Sequence, residues 1–405
     1  MGKISFSVKI NSTRICVLIS SLIMTFILVS EQLFYFGLLK KGIINGVLKT
    51  AIYAVLILCA FYLILKTKYK WCFTIKIFFV FSILTVMSTV FGVTQDVNVI
   101  RQSIHILYFL AIFVIFYLAQ FKLKNDYTVK WLCKISVIVI LVSTLVIVKN
   151  VGINIGNTVY YSLLFLPVIS MLEKKSTRAV FYFLEFFTVL LSNKRTALIA
   201  FIVYILTYEL MVNKNISNRK LVFKIISYII LVCVIYFGFP IVVKYLGITV
   251  FDELSISNIQ ADGGSNRVFI YQQLVSNLPG QGIKNWLIGR GYNAVLFSRV
   301  CTDGMVGNYV SAHNDFLEIL FDYGVMGITT YILFIFSMIK KLIEMSKNKY
   351  KYFAPFASSI VMVLVISMTS HLIIYLNYYA IMFAFWGICL ADYILENKRK
   401  TKSWR

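Results

Sequence analysis

Charge is scarce in this sequence. Only 14% of its 405 residues are charged, against about 25% in an ordinary soluble domain, so the chain lacks the polar surface to face water on every side. Acidic residues are scarcer still, 16 against 40 lysines and arginines. Proline occurs four times, which leaves long stretches free of helix breakers. Ten-residue stretches of alternating apolar and polar residues, the mark of membrane β-strands, are missing, and their lack excludes a barrel. The seven cysteines include no C-x-x-C or other metal-ligand spacing. Six of them lie in or beside apolar runs, and Cys301 alone falls in a long outer loop, where it is expected to stand exposed with no second cysteine for an intrachain disulfide. No small-residue cleavage site follows the first apolar run, so it reads as a retained span rather than a signal peptide.

What fills the chain instead is apolar. Hydrophobic residues make up 60% of it and the mean hydropathy is +0.84. Runs of about 18 residues or more recur along the whole length, the signal of membrane-crossing helices. Twelve spans are expected, at 15–37, 47–65, 73–91, 102–120, 131–148, 157–172, 178–192, 196–212, 221–246, 325–343, 354–371 and 376–394. The net charge of +24 then reads as topology rather than as a nucleic-acid surface. With the N-terminus inside, 25 basic residues fall in cytoplasmic segments, among them Lys66, Lys68, Lys70, Lys340, Lys341 and Lys398. Six fall in the short outer loops: Lys40, Lys41, Arg101, Lys149, Lys194 and Arg195. This bias puts both termini in the cytoplasm by the positive-inside rule.

All connections are short but one. Residues 247–312 form a 66-residue outer loop holding nine of the twenty glycines, between a first block of helices (1–246) and a last one (313–405). So long a loop of mixed composition is expected to be a folded cap that carries function. A helix is expected at 266–278, with Val268, Tyr271, Leu274 and Val275 at helical spacing, and glycine turns at LPGQG and GRGYN.

Few residues here can do chemistry, and they crowd the outer edge. His313 opens SAHNDFLEILFDYGVMG. A helix counted from it puts Asn314, Asp315, Glu318 and Asp322 on one arc and His313 on the apolar side with Leu317 and Leu320. His313 is therefore expected in the first turn of an interfacial helix that Gly324 ends, where a neutral imidazole makes a general base. His105 and His371 read as structural. Arg195, beside Lys194 in SNKRTAL, lies at the outer end of a span on the side that basic residues avoid; a snorkelling anchor is the alternative. Arg267, in GGSNRVF, starts the loop helix, where free N–H groups favour an anion; a surface ion pair is its alternative. Asn314 and Arg290 are secondary candidates. Two guanidinium groups and one imidazole on one membrane face suit a lipid-linked pyrophosphate glycan: arginine forks hold phosphate oxygens, and a base activates an attacking sugar hydroxyl.

At these residues the sequence resembles the O-antigen ligase/O-antigen polymerase superfamily of bacterial surface-polysaccharide enzymes. SNKRTAL, SNRVF, LIGRGY and above all HNDFLEILFDYGVMG carry the resemblance, over roughly residues 190–330. It implies an all-α polytopic membrane protein of the GT-C-like kind with about twelve transmembrane helices and one large outer loop. It implies Arg195 and Arg267 on the pyrophosphate, His313 activating the acceptor, and no metal or cofactor. The activity implied is polymerisation of undecaprenyl-pyrophosphate-linked repeat units into O-antigen, capsule or exopolysaccharide in the bacterial cytoplasmic membrane. A flippase and a chain-length regulator are its expected partners, along with the glycan donor, the glycan acceptor and the bilayer. The alternatives are a ligase, which transfers the glycan to lipid A–core or another terminal acceptor, and a flippase. A flippase is expected to hold charges at the bundle midplane, and the spans here are almost charge-free.

Overall fold

The computed structural model describes residues 11–38, 47–67, 71–92, 99–123, 127–150, 158–192, 194–212, 266–278, 282–302, 308–374 and 376–403. The expected ninth span, the start of the outer loop with Gly263 and Gly264, and the His105 side chain lie outside them. The described residues form fifteen helices; the only β-pairing among them is one antiparallel bridge, Thr302 to Tyr309. The protein is an all-α polytopic membrane protein. Seven helices are long and apolar enough to cross a bilayer, and three shorter helical stretches are similarly apolar.

The first five helices follow the apolar runs within a few residues: α1 (Ser12–Tyr35), α2 (Val47–Lys66), α3 (Phe73–Phe91), α4 (Val99–Lys122) and α5 (Tyr127–Lys149). The expected sixth span is not one helix. It breaks into α6 (Val159–Leu163) and α7 (Leu166–Ile169). Pro167 in the first turn of α7 has no N–H to continue a ladder from α6. Non-helical backbone at membrane depth persists only where protein surrounds it, and both pieces are buried throughout. Next come α8 (Lys175–Leu191) and α9 (Arg195–Val212).

The loop holds α10 (Arg267–Asn277), α11 (Gly282–Ile288) and α12 (Ala294–Phe297), and a small core of Ile270, Leu274, Leu278, Ala294, Val295 and Ala312 joins α10 to α12. The buried face of α10 is thus Ile270, Leu274 and Leu278, while the expected Val268 and Val275 are exposed. Cys301 belongs to this core as well. Far from standing exposed, it is fully buried, its thiol against the Ile270 carbonyl at 3.6 Å, because a thiol packs as a small apolar group. Burial pushes its pKa up to about 12, with the Glu318 charge adding to the rise.

The chain ends in α13 (Asp315–Lys347), α14 (Phe353–Thr369) and α15 (Leu376–Ser403). Gly324 divides α13 at φ 65° and ψ −169°, a backbone state close to glycine-only. A Cβ there would meet the Leu287 carbonyl oxygen at 2.5 Å, and one on Gly289 (φ +79°) would meet the Asp322 oxygen at 2.2 Å. The glycine turn after α11 and the break in α13 therefore pack backbone to backbone, joined by Gly291 N–H donating to Asp322 O at 2.8 Å.

The centre of the bundle is α4 against α15, where Tyr108 to Ala119 and Tyr378 to Leu390 are buried almost without gap. Phe78, Phe109, Phe334 and Trp386 gather on Phe383, with Phe78 at 4.5 Å between ring centres. Leu58 and Leu65 of α2 and Phe183 of α8 point outward and exposed, the arrangement of a bundle solvated by lipid. Glu31 and Glu185 lie inside the bundle, and each meets a polar side chain of another helix. Glu31 meets Lys49 at 2.5 Å and accepts from Tyr161, and buried Glu185 accepts from Ser162 Oγ at 3.0 Å.

Candidate active site

His313 does not stand in the first turn of a helix. Its φ is +52°, and the helix starts two residues later. Asn314 is the N-cap: its Oδ1 accepts from Phe316 N–H (3.0 Å) and Leu317 N–H (3.2 Å), satisfying donors that a first turn leaves open. Asn314 therefore has a structural task at the site. A wheel counted from His313 as helical misassigns the faces, and the structure reads them differently. Leu317, Leu320 and Phe321 pack on the loop core while Ile319 and Tyr323 enter the bundle.

The acidic arc is not solvated either. Asp315, Glu318 and Asp322 are all fully buried, and each binds backbone N–H groups of a neighbouring segment. Asp315 Oδ1 accepts from Leu372 (2.8 Å) and Ile373 (3.0 Å), and its Oδ2 from Ser367 Oγ (2.5 Å). Glu318 accepts from Ala312 N–H at 2.7 Å. Asp322 accepts from the backbone N–H groups of Asn293 (2.6 Å) and Ala294 (2.8 Å) at the start of α12. Three carboxyl groups thus staple the loop, the link after α14 and the segment before α13 to the first turns of α13.

On that scaffold several chain segments meet. Asn266, at φ +58°, turns the chain into α10, and Arg267 at its start reaches α9, where an Nη lies 3.4 Å from Thr196 Oγ1. Tyr160, from the broken α6, faces the same place, between Ser370, Thr196 and Arg267. Tyr271 Oη donates to the carbonyls of His313 (3.1 Å) and Met368 (3.3 Å), and Asn314 Nδ2 donates to Met368 O (3.2 Å). Against the His313 ring lies His371, with ring centres 4.5 Å apart and planes 33° from parallel.

Burial, with the charges of Arg267 and then Lys194 adding to it, pulls the His313 pKa down from 6.5 to about 4. His371 is pulled well below its ordinary value by burial, then by His313, Arg267 and Lys194. Both imidazoles are neutral at neutral pH, set in a positive field that would welcome an anion. Arg195 opens α9 one residue before Thr196 and is partly buried. The charge acting on the two rings from this turn is that of its neighbour Lys194. Arg290 lies elsewhere, its guanidinium 5.0 Å over the Phe321 ring, about 9 Å of helix beyond the start of α13. Burial there lowers its pKa, and its backbone N–H donates to Phe321 O at 3.3 Å.

His371, read from sequence as structural, is thus beside the candidate base. No local pattern announces it, since 57 residues separate the two histidines in the chain. Among the described residues no group of three or more histidine, cysteine, aspartate or glutamate side chains is placed to hold a metal ion.

Residues 180–332 match a protein-family model described as O-antigen ligase. The matched segment includes Lys194, Arg195, Arg267, Arg290, His313 and Asn314, and stops short of His371. No curated protein matches the chain.

Proposed function

We propose that the chain, whose residues 180–332 match a family model described as O-antigen ligase, is a glycosyltransferase of the O-antigen ligase/polymerase kind in the bacterial cytoplasmic membrane. It polymerises undecaprenyl-pyrophosphate-linked repeat units into a surface polysaccharide. The observation that carries this reading is the convergence of Arg267 and Lys194 on the neutral His313 imidazole. A pyrophosphate is the anion that this field suits, and an unprotonated imidazole beside it is the base that glycosyl transfer needs.

In this reading the donor pyrophosphate lies on Arg267, Lys194 and Arg195, at the start of α9. An acceptor sugar hydroxyl attacks the anomeric carbon of the donor. A new C–O bond forms, the bond from that carbon to the pyrophosphate oxygen breaks, and the hydroxyl proton passes to His313. The lipid pyrophosphate leaves with the bonding electrons, and the cations stabilise its charge. His313 returns its proton to solvent before the next cycle. No step calls for a metal. The site faces outward in this reading, with both termini in the cytoplasm, as the distribution of basic residues suggests.

The printed description of the matching family favours a second reading, a ligase with a terminal acceptor. One assay separates them. Purified protein in nanodiscs is given lipid-linked repeat units alone, and products are resolved by length. A ladder of lengthening lipid-linked glycan is expected. Transfer only when lipid A–core or another terminal acceptor is added makes the protein a ligase, and no transfer under either condition removes the glycosyltransferase reading.

A further inference from the structure

A buried imidazole is an expensive way to fill space, because its polar nitrogens lose water that an apolar side chain would not miss. His371 is nevertheless 3% exposed, in the link between α14 and α15, and the fold places it with care. Asp315 holds Ser367, Leu372 and Ile373, Asn314 and Tyr271 hold Met368, and Tyr378 Oη donates to the His371 carbonyl at 3.3 Å. The residues that hold this link are the ones around His313: its two successors, and the tyrosine bonded to its own carbonyl. Two of the three histidines in the chain thus lie ring against ring, 4.5 Å apart.

We infer that His371 is a positioning residue for His313, a neutral aromatic platform that fixes the plane of the base and receives the positive charge formed on it. The inference rests on the glycosyltransferase reading above. Residues at positive φ persist where their surroundings over-determine them, and His313 is such a residue. With centres 4.5 Å apart and planes tilted by 33°, the two rings pack against one another out of a common plane, a geometry that suits ring contact rather than an in-plane proton relay. When His313 takes the acceptor proton, the new imidazolium lies against the face of a neutral ring, a cation–π arrangement. His371 must stay neutral for this, and the groups facing the pair keep it so. Arg267 from α10 and Lys194 from the turn before α9 oppose a second proton, as does His313 itself once charged. Tyr271 and Tyr160 offer only hydroxyls on this side. The Asp315 carboxylate, the nearby group that would favour a charged His371, is engaged by Ser367 and two backbone N–H groups.

The test compares His371→Phe with His371→Leu in purified, nanodisc-reconstituted protein, measuring kcat and KM for lipid-linked repeat units and, separately, donor binding. A ring face without a titratable nitrogen should keep kcat within about threefold, whereas the leucine variant, apolar but without a face, should lose about tenfold in kcat. Donor affinity should be unchanged in both. In a His313→Gln background the leucine change should cost nothing more, because residues that act as a unit are non-additive. Parental kcat in the leucine variant, equal losses in the two variants, or additive losses in the double variant would each overturn the inference. If the leucine variant does not accumulate in the membrane, the phenylalanine variant decides: retained kcat supports the platform, and a tenfold loss overturns it. A parental protein with no transfer activity, or a fully active His313→Gln, sinks the reading of the site itself and is seen before any His371 variant is made.

Discussion

If His313 is the base, the acidity of the reaction medium should matter far less than for an ordinary histidine. Its pKa falls from 6.5 to about 4, by burial first and then by Arg267 and Lys194, which corresponds to about 3 kcal/mol against the imidazolium. The sign is plain: the neutral form accepts the proton, so lowering the pKa extends activity toward acid. At pH 5 about nine-tenths of such a base is neutral, against about 3% of a histidine at 6.5, a difference of about 30-fold in kcat/KM. The perturbation is therefore pH, and the assay is initial-rate transfer in nanodiscs between pH 4.5 and 8, with monodispersity checked at each pH. The acid limb of kcat/KM, which reports the free enzyme, is expected well below 6. The limb of kcat, which reports the loaded enzyme, is expected higher. A bound pyrophosphate cancels the two cations among the three causes of the shift, so the donor itself raises the base toward working pH. Lys194→Ala should likewise move the kcat/KM limb upward. An acid limb of kcat/KM near 6.5 would refute the reasoning, as would a limb that survives unchanged in His313→Gln.

Further outcomes are expected from other parts of the molecule. Arg267→Ala should abolish donor binding and chain elongation while leaving the protein in the membrane, with Arg267→Lys restoring only part of it, since an ammonium lacks the bidentate fork; quantitative donor binding checks this. Cys301, buried and with its thiol pushed up to about 12, should resist a maleimide until the protein is denatured. In a cysteine-free background the exposed Val275→Cys should instead label readily, and an impermeant reagent on intact cells tests the outward placement of α10. Gly324→Ala should lower stability by about 3 kcal/mol or more, from φ strain and a 2.5 Å clash with Leu287 O, read as a loss of melting temperature in detergent; an unchanged melt would mean that the break in α13 can reform as helix.

The sequence by itself determined that this chain is a helical membrane protein, because span length and apolarity are local properties that a bilayer reads directly. The edges of most of the long described helices follow from that to within a few residues, and glycine chemistry announces the break at Gly324. The weak local signals at Arg267 and His313 were legible for a similar reason, since polar residues in so apolar a chain stand out. Where local periodicity had to be extended past its range, the structure decided otherwise. Pro167 splits an apolar run that hydropathy reads as continuous, and the split is tolerated only because α6 and α7 are walled in by other helices. The wheel drawn from His313 assumed helix where the backbone turns left-handed, a choice fixed by Asn314, Tyr271 and Ala312 binding elsewhere. The wheel puts Asp315, Glu318 and Asp322 on one arc but not their partners, which are mostly backbone N–H groups that leave no trace in a sequence. Cys301 looked exposed because the small core that buries it draws on α10, α12 and α13 together. The packing of the His371 ring against that of His313 is the fullest case. It depends on Asp315 drawing in the link after α14 across more than fifty residues of chain, and only tertiary structure brings such pairs together.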